Sequence, residues 1–284
     1  MNTVKDKVLD EERALYHLTD ATVLNCTFAG PADGESALKE CRNVSVENCK
    51  FSLRYPLWHA EKFTVKNCTM DELTRAALWY TLDGVISDST LGGIKALREC
   101  DNTVLKNCTI VSPEFGWRCR GVEMYDCNVQ SEYFLFECSN IKLKGVKMKG
   151  KYSFQYVENA QIENCEFDTK DAFWHSKNMV VKNSVLKGEY LGWYSEGLTL
   201  INCHISGTQP LCYCKNLKLI NCTTEGCDLS FEYSDVEATI TGHIVSIKNP
   251  KSGTITVDSA DDIINGDCVM DCNGVVIVRE RKCG

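Results

Sequence analysis

All five tryptophans, Trp58, Trp79, Trp117, Trp174 and Trp193, are followed directly by a polar or ionisable residue: His59, Tyr80, Arg118, His175 and Tyr194. A ring face offers apolar contact and attracts cations, and a neighbouring hydrogen-bonding group fixes orientation, so such pairs suit recognition of a planar or ring-shaped ligand. Lys39-Glu40, Arg98-Glu99 and Cys212-Tyr213 repeat the arrangement with another residue in the Trp place. The candidate ligand-binding residues are Lys39, Trp58, His59, Trp79, Tyr80, Arg98, Trp117, Arg118, Trp174, His175, Trp193 and Tyr213.

Hydrolysis of a glycan needs two carboxyl groups in different protonation states. Glu99 and Glu137 are the catalytic candidates. If they lie two turns apart in a stacked coil, their Cα atoms are separated by about 9.6 Å, near the upper end of the roughly 6.5 to 9.5 Å between carboxyl groups of inverting glycosidases. Arg118 stands between them, and Glu-Arg-Glu on successive coils is equally an ordinary surface ion-pair ladder. His59 and His175 each adjoin a Trp, but too many coils separate them to share one reaction.

A repeat must place these residues. An aliphatic-x-Asn-Cys-x-apolar motif recurs with its Asn position at Asn25, Asn48, Asn67, Asp88, Asn107, Asp126, Gly145, Asn164, Asn183, Asn202 and Asn221. The first gaps are 23, 19 and 21 residues, and every later gap is 19. Two residues before the Asn, all units are aliphatic, from Val23 and Val46 to Leu200 and Leu219, and three residues after it nearly all are apolar. Polar residues alternate with the aliphatic ones, the period of a half-buried strand. A unit this short fits a coil of three short strands and three bends, stacked in parallel at about 4.8 Å, and predicts an all-β right-handed parallel β-helix of about 11 to 12 coils. The Asn column is then a side-chain amide ladder in a bend that takes left-handed geometry.

In this frame the tryptophans share one column, nine residues before the Asn. The residues after them form a mixed column: His17, Glu40, His59, Tyr80, Glu99, Arg118, Glu137, Tyr156, His175, Tyr194 and Tyr213. No interior accepts that many charges in a ladder, so the mixed column is expected to face water, with both columns straddling a bend and pointing outward. The competing reading has the Trp rings packed inward, or lying flat beneath Lys39, Arg98 and Arg118.

Most of the 18 cysteines fall in two further columns, Cys26 to Cys222 directly after the Asn and Cys41, Cys100, Cys119, Cys138 and Cys214 before the strand. Both slots otherwise hold mainly Ser, Ala, Thr or Val, so the thiols read as small fillers of a stacked interior. Cys268, Cys272 and Cys283 lie outside the repeat with no His beside them, a poor zinc pattern. No metal and no cofactor is expected.

The chain carries 31 basic and 39 acidic residues, a net charge of -8, opposite in sign to the footprint of a nucleic-acid binder. The N-terminus is charged from its fifth residue, and no apolar run is long enough to span a bilayer. The expectation is a cytoplasmic protein with no nucleic-acid or membrane partner; the oligomeric state is left open. Residues 1–12 are expected as an N-terminal cap, 13–236 as regular coils, and 237–284 as irregular last coils with a C-terminal cap over the open strand edge, together one domain.

The Asn-bend repeat resembles the pectin-lyase-like right-handed β-helices. The segments Arg13-Ala14-Leu15-Tyr16, Glu35-Ser36-Ala37-Leu38-Lys39-Glu40, Tyr55-Pro56-Leu57-Trp58, Asp171-Ala172-Phe173-Trp174, Gln209-Pro210-Leu211-Cys212-Tyr213 and Phe231-Glu232-Tyr233-Ser234 resemble an uncharacterised, mostly bacterial domain family in that superfamily. The resemblance spans about residues 11–255 and implies the fold. The acidic signatures of polygalacturonases and the arginine element of pectate lyases are missing: Asp261-Asp262 stands alone, and Gly242-His243 lacks its second Gly. The functional expectation is a carbohydrate- or small-ligand-binding β-helix, possessing glycan chemistry only if a carboxyl pair is suitably placed. The alternative is a non-catalytic scaffold or protein-binding module.

Overall fold

The computed structural model describes residues 2–30 and 35–279; Cys283 and the last residues of the expected C-terminal cap lie outside them. The described residues form strands, bends and turns without a helix. The chain is a right-handed parallel β-helix with about 14 turns. Two compact units are distinguished, Met1–Met148 and Lys149–Gly284.

In the first unit the main strands pair in parallel, Thr19 with Arg42, Arg42 with Glu61, Glu61 with Leu82, Leu82 with Asp101 and Asp101 with Arg120. These steps reproduce the sequence gaps, so the irregular early spacing is absorbed in bends rather than in strand register. The second unit continues the pattern, with Glu158 opposite Lys177 and Thr199 opposite Lys218. The aliphatic column is buried throughout, as at Val23, Val46, Leu105, Val181 and Leu200. Each such side chain contributes roughly 1.5 to 3 kcal/mol on burial. Phe28 and Phe51 stack inside the first unit at 4.8 Å.

More turns exist than the Asn motif marks. Asn2–Lys5 and Val8–Leu9 pair in parallel with the strands after Leu18, so the segment expected as a cap supplies one more coil. After Asn221 come the long strands Asp235–Lys248 and Ser252–Ile264, then Val275–Val278. Register shifts between Leu219 and Cys222 and between Ile240 and His243 end the 19-residue spacing there.

The bends depend on left-handed backbone. The Asn column has φ near 50–55° at its Asn and Asp members, and its amides form the expected ladder: Asn48 donates to Asn25 at 3.3 Å, Asn67 to Asn48 at 2.6 Å and, in the second unit, Asn202 to Asn183 at 3.1 Å. Gly145 continues the column because a Cβ there would lie 2.3 Å from the Asp126 carboxylate. A second ladder, five residues earlier, contains Asp20, Asn43, Asp83, Asn102, Asn159 and Asn178, also at positive φ. Asn43 donates to Asp20 at 2.6 Å and Asn102 to Asp83 at 3.0 Å. Sequence reasoning missed this column, although Asn, Asp or Gly fills it in nearly every unit.

The cysteine columns are buried, as expected, and they also have a hydrogen-bonding role. The backbone N–H of Cys26 points at Cys49 Sγ and that of Cys49 at Cys68 Sγ, each at 3.3 Å. Cys100 and Cys119 donate likewise to Cys119 and Cys138. Where serine replaces cysteine, the hydroxyl accepts instead, from Cys68 to Ser89 and from Cys165 to Ser184, both at 3.0 Å. Where the slot holds Cys or Ser it supplies an acceptor to a buried N–H; where Ala60 fills it, the Cys41 N–H turns to Leu38 O at 3.3 Å instead.

Candidate functional site

The mixed column is a further line of left-handed residues, one of several besides the two Asn columns, with φ of 50–60° from His17 through Glu137 in the first unit and from Tyr156 to Tyr213 in the second. This conformation costs an ordinary L-residue roughly 1–2 kcal/mol and costs Asn or Gly least. At the two Asn columns the chain uses those cheap residues. In the mixed column it uses none of them. The column faces water, with His17, His59, Tyr80, Arg118, Glu137, Tyr156, His175 and Tyr194 exposed and Glu40, Glu99 and Tyr213 half-exposed. A large buried residue before it and a small buried one after it hold the bend: Leu57 and Ala60 flank Trp58 and His59, and Phe173 and Ser176 flank Trp174 and His175.

In-register stacking decides what each ring presents. Trp58 and Trp79 are 5.5 Å apart and nearly parallel. Lys39 Nζ lies 4.3 Å from the ring of Trp58, and the Arg98 guanidinium lies 5.3 Å from that of Trp79. The faces of both rings are thus occupied along the stacking direction. Trp117 contacts Phe136 at 4.9 Å with Lys95 beyond it; Trp193 is boxed edge-on by Tyr190 and Tyr213 and donates its indole N–H to Gln209 O at 2.7 Å. The indole nitrogens of Trp58, Trp117 and Trp174 are covered and have no partner. All five tryptophans are half-buried. The expectation that both columns point outward therefore holds for the mixed column, while the tryptophans act as its backing and keep only an edge at the surface.

Outside that backing, His59 stacks on Tyr80 at 5.1 Å. In the second unit Tyr156, His175, Tyr194 and Tyr213 form an unbroken pile, with successive centroids 5.3, 5.0 and 4.8 Å apart. Their faces are also taken by one another, so the hydroxyls of Tyr194 and Tyr213, the His175 imidazole nitrogens and the ring edges are what the pile presents outward. Tyr194 joins the candidate set on this ground.

The carboxylates are paired. His17 Nε2 lies 2.9 Å from Glu40, which also accepts from Tyr16 Oη at 3.1 Å. Arg98 contacts Glu99 at 3.3 Å, and Arg118 holds Glu137 at 2.7 Å. Burial pushes the Glu99 carboxyl upward, but hydrogen bonds from Tyr80, Trp79 and Arg98 outweigh it and hold the group below its ordinary value. Tyr80 is raised in return, chiefly by that bond to Glu99. Glu99 is held in its ionised form, and Glu137 is ion-paired with Arg118, the arrangement of a surface ion-pair ladder.

Two fragments the sequence left apart meet in the second unit. His243 Nε2 lies 3.1 Å from Asp261, and its Nδ1 lies 3.1 Å from Ser259 Oγ. The cluster is exposed on a strand face, and the neighbouring Gly242 N–H is used by Asp258. It lacks the water-excluded oxyanion site that acyl transfer needs. A groove of about 330 Å³ is lined by Lys218, Ile220, Glu237, Thr239, Thr254 and Thr256 among others; no candidate from the sequence is in it. Among the described residues, no group of three His, Cys, Asp or Glu side chains is placed to hold a metal, and no helix is long and apolar enough to cross a membrane.

Residues 2–278 match the model of a family described as "Protein of unknown function (DUF3737)", and the chain belongs to it. No curated protein matches significantly in sequence. Among solved structures, the chain is similar to the A-module of the Azotobacter vinelandii mannuronan C-5 epimerase AlgE6, at 11% identity and a TM-score of 0.40, covering 99% of this chain and 89% of that one. It is also similar to the AlgE4 A-module from the same organism, at 9% identity, TM-score 0.31 and coverages of 98% and 87%. For PfbA, a surface adhesin of Streptococcus pneumoniae, the identity is 10%, the TM-score 0.35 and the coverages 98% and 80%. At these scores the likenesses bear on neither substrate nor reaction.

Proposed function

We propose that this member of the DUF3737 family is a recognition protein that binds a polyhydroxylated ligand, a carbohydrate chain, along the mixed column of its second unit. One observation carries the reading. A backbone geometry that favours Asn or Gly is filled at every coil by His, Tyr, Glu or Arg, so these positions are chosen for their outward side chains and not for the bend. The two Asn columns hold the residues the bend prefers; other left-handed positions hold ordinary residues too, but Leu135, Phe173 and Leu211 there are buried in the core, whereas the mixed column turns its polar and aromatic side chains to water.

The contact is edge-on. In the second unit the hydroxyls of Tyr194 and Tyr213 and the imidazole of His175 repeat at the coil spacing, each locked by its stacked neighbours, so little side-chain entropy is lost on binding. Hydroxyl-rich ligands suit such a row of donors and acceptors. Turnover has less support than binding, because Glu99 and Glu137 are both engaged by arginines. The protein is proposed to work in a reducing, cytoplasmic compartment, where thiols that accept backbone hydrogen bonds remain thiols.

The test is a glycan array probed with the full chain, followed by calorimetric titration of any retained oligosaccharide. Binding that is lost when Tyr194 and His175 are replaced supports the reading, and absence of binding to any glycan ends it. A protein partner is the second reading, favoured by the closed ring faces and the exposed Tyr and Arg edges; it predicts capture of a protein through the same residues and an empty array.

A further inference from the structure

Fifteen of the described cysteines are buried, and Cys268 and Cys272 are the two that are not. Both lie on the loop between Ser252–Ile264 and Val275–Val278. Its start is fixed by Asn249, which donates to Gly266 O at 2.8 Å and accepts from Gly266 N at 3.1 Å. Its end is fixed by Asn273 N to Lys251 O at 2.9 Å and Gly274 N to Pro250 O at 3.0 Å. In between, the Val269 N–H donates to Tyr233 Oη at 3.3 Å. Within this held loop the two thiols stand four positions apart in sequence and influence one another electrostatically. Their hydrogen bonds go to carbonyls two residues back, from Cys268 to Gly266 O at 3.8 Å and from Cys272 to Met270 O at 3.5 Å.

We propose that Cys268 and Cys272 are a reversible dithiol–disulfide pair that reacts with low-molecular-weight disulfides. The Cys268 thiolate, exposed to solvent, attacks one sulfur of the small disulfide, breaking its S–S bond and releasing one thiolate. The mixed disulfide on Cys268 is then attacked by Cys272 Sγ, whose proton passes to water, and the second small thiolate leaves. Two protein thiols are oxidised to one disulfide, and one small disulfide is reduced to two thiols. The order of attack follows from exposure: Cys272 is the less accessible sulfur, and burial together with the neighbouring Cys268 pushes its thiol up to about 11. It is therefore the resolving thiol, whose attack is aided by proximity, while the other cysteines stay shielded in the coil interior.

The experiment uses the reduced, folded full chain with glutathione disulfide as the probe, alkylation of remaining thiols, and peptide mapping by mass spectrometry. In the native chain, the peptide containing both cysteines should lose two hydrogens and carry no glutathione, and glutathione thiol should restore it. In C272S, glutathione should remain attached to Cys268; in C268S, the adduct at Cys272 should be strongly reduced. Circular dichroism of both variants checks the fold. Retention of glutathione on Cys268 in the native chain to the level seen in C272S would overturn the proposal, as would failure of both thiols to react or pairing of Cys268 with a different cysteine.

Discussion

The imidazole of His175 lies face to face with the phenol ring of Tyr194, 5.0 Å between centroids and 8° between planes, and both residues hold a left-handed backbone, φ 53° and 58°. Each therefore occupies a conformation that opposes its residue type and regains part of the cost through the stack. Rings piled this way along successive coils cannot offer their faces to a ligand. Their edges and heteroatoms are what the surface presents.

The tryptophans behind the row should behave as packing. Trp79 is closed by Trp58 on one face and Arg98 on the other, and it is half-buried. Trp79→Ala is expected to cost about 2 kcal/mol, below the roughly 3–5 kcal/mol of a fully buried ring. Urea denaturation measures it, and a loss within 0.5 kcal/mol, about the level of a neutral surface change, would show that the ring does not support the bend.

The cysteine columns should distinguish filler from acceptor. Cys119 receives the Cys100 N–H at 3.5 Å, so Cys119→Ala leaves that buried donor unpaired, at roughly 1–3 kcal/mol. Cys119→Ser keeps an acceptor in the form the chain already uses at Ser89 and Ser184. The alanine variant is expected to melt below the serine variant; equal melting would reduce the slot to a question of size.

How far the sequence revealed these features depended on how each column was marked. The aliphatic and Asn columns were legible because only a narrow set of residues satisfies a buried strand or a left-handed bend. The second ladder, through Asn43, Asn102 and Asn178, was equally marked but lies inside the strands, directly before buried residues such as Val44 and Thr103. The coil from Asn2 to Leu9 was hidden because Asp6 replaces the repeat's Asn, although Asn25 donates to that carboxylate at 3.0 Å. Ring orientation was illegible, since a column of Trp at fixed spacing is compatible with faces turned outward or along the stack, and only the positions of Lys39 and Arg98 against the rings distinguish the two.

The second ladder carries its own expectation. Asn102 sits at φ 54° and donates to Asp83. Asn102→Ala loses both the tolerated backbone and the amide bond, about 1–2 kcal/mol, whereas Asn102→Gly loses the bond alone and should retain more stability in the same denaturation assay.

A pH-dependent effect is expected at Asp171. Burial pushes its carboxyl above the ordinary value, with Lys170 opposing and Glu189 assisting. A raised folded value means that the associated stability is present while the group is protonated, below the ordinary Asp range, and is lost as pH rises through the folded value. Asp171→Asn, which also suits φ 51°, should therefore melt above the native chain at neutral pH. The difference should close on acidification, and a difference independent of pH would contradict the assignment.

The most direct measurement replaces the row itself with the residue its backbone prefers. Tyr194→Asn removes stacking worth about 0.5–1.5 kcal/mol and relieves left-handed strain of roughly 1–2 kcal/mol, so its melting temperature should equal or exceed that of the native chain. Binding of the carbohydrate retained from the array should be lost in the same variant. A clear fall in melting temperature with carbohydrate binding intact would contradict the account, because the row would then exist for the fold and not for a ligand.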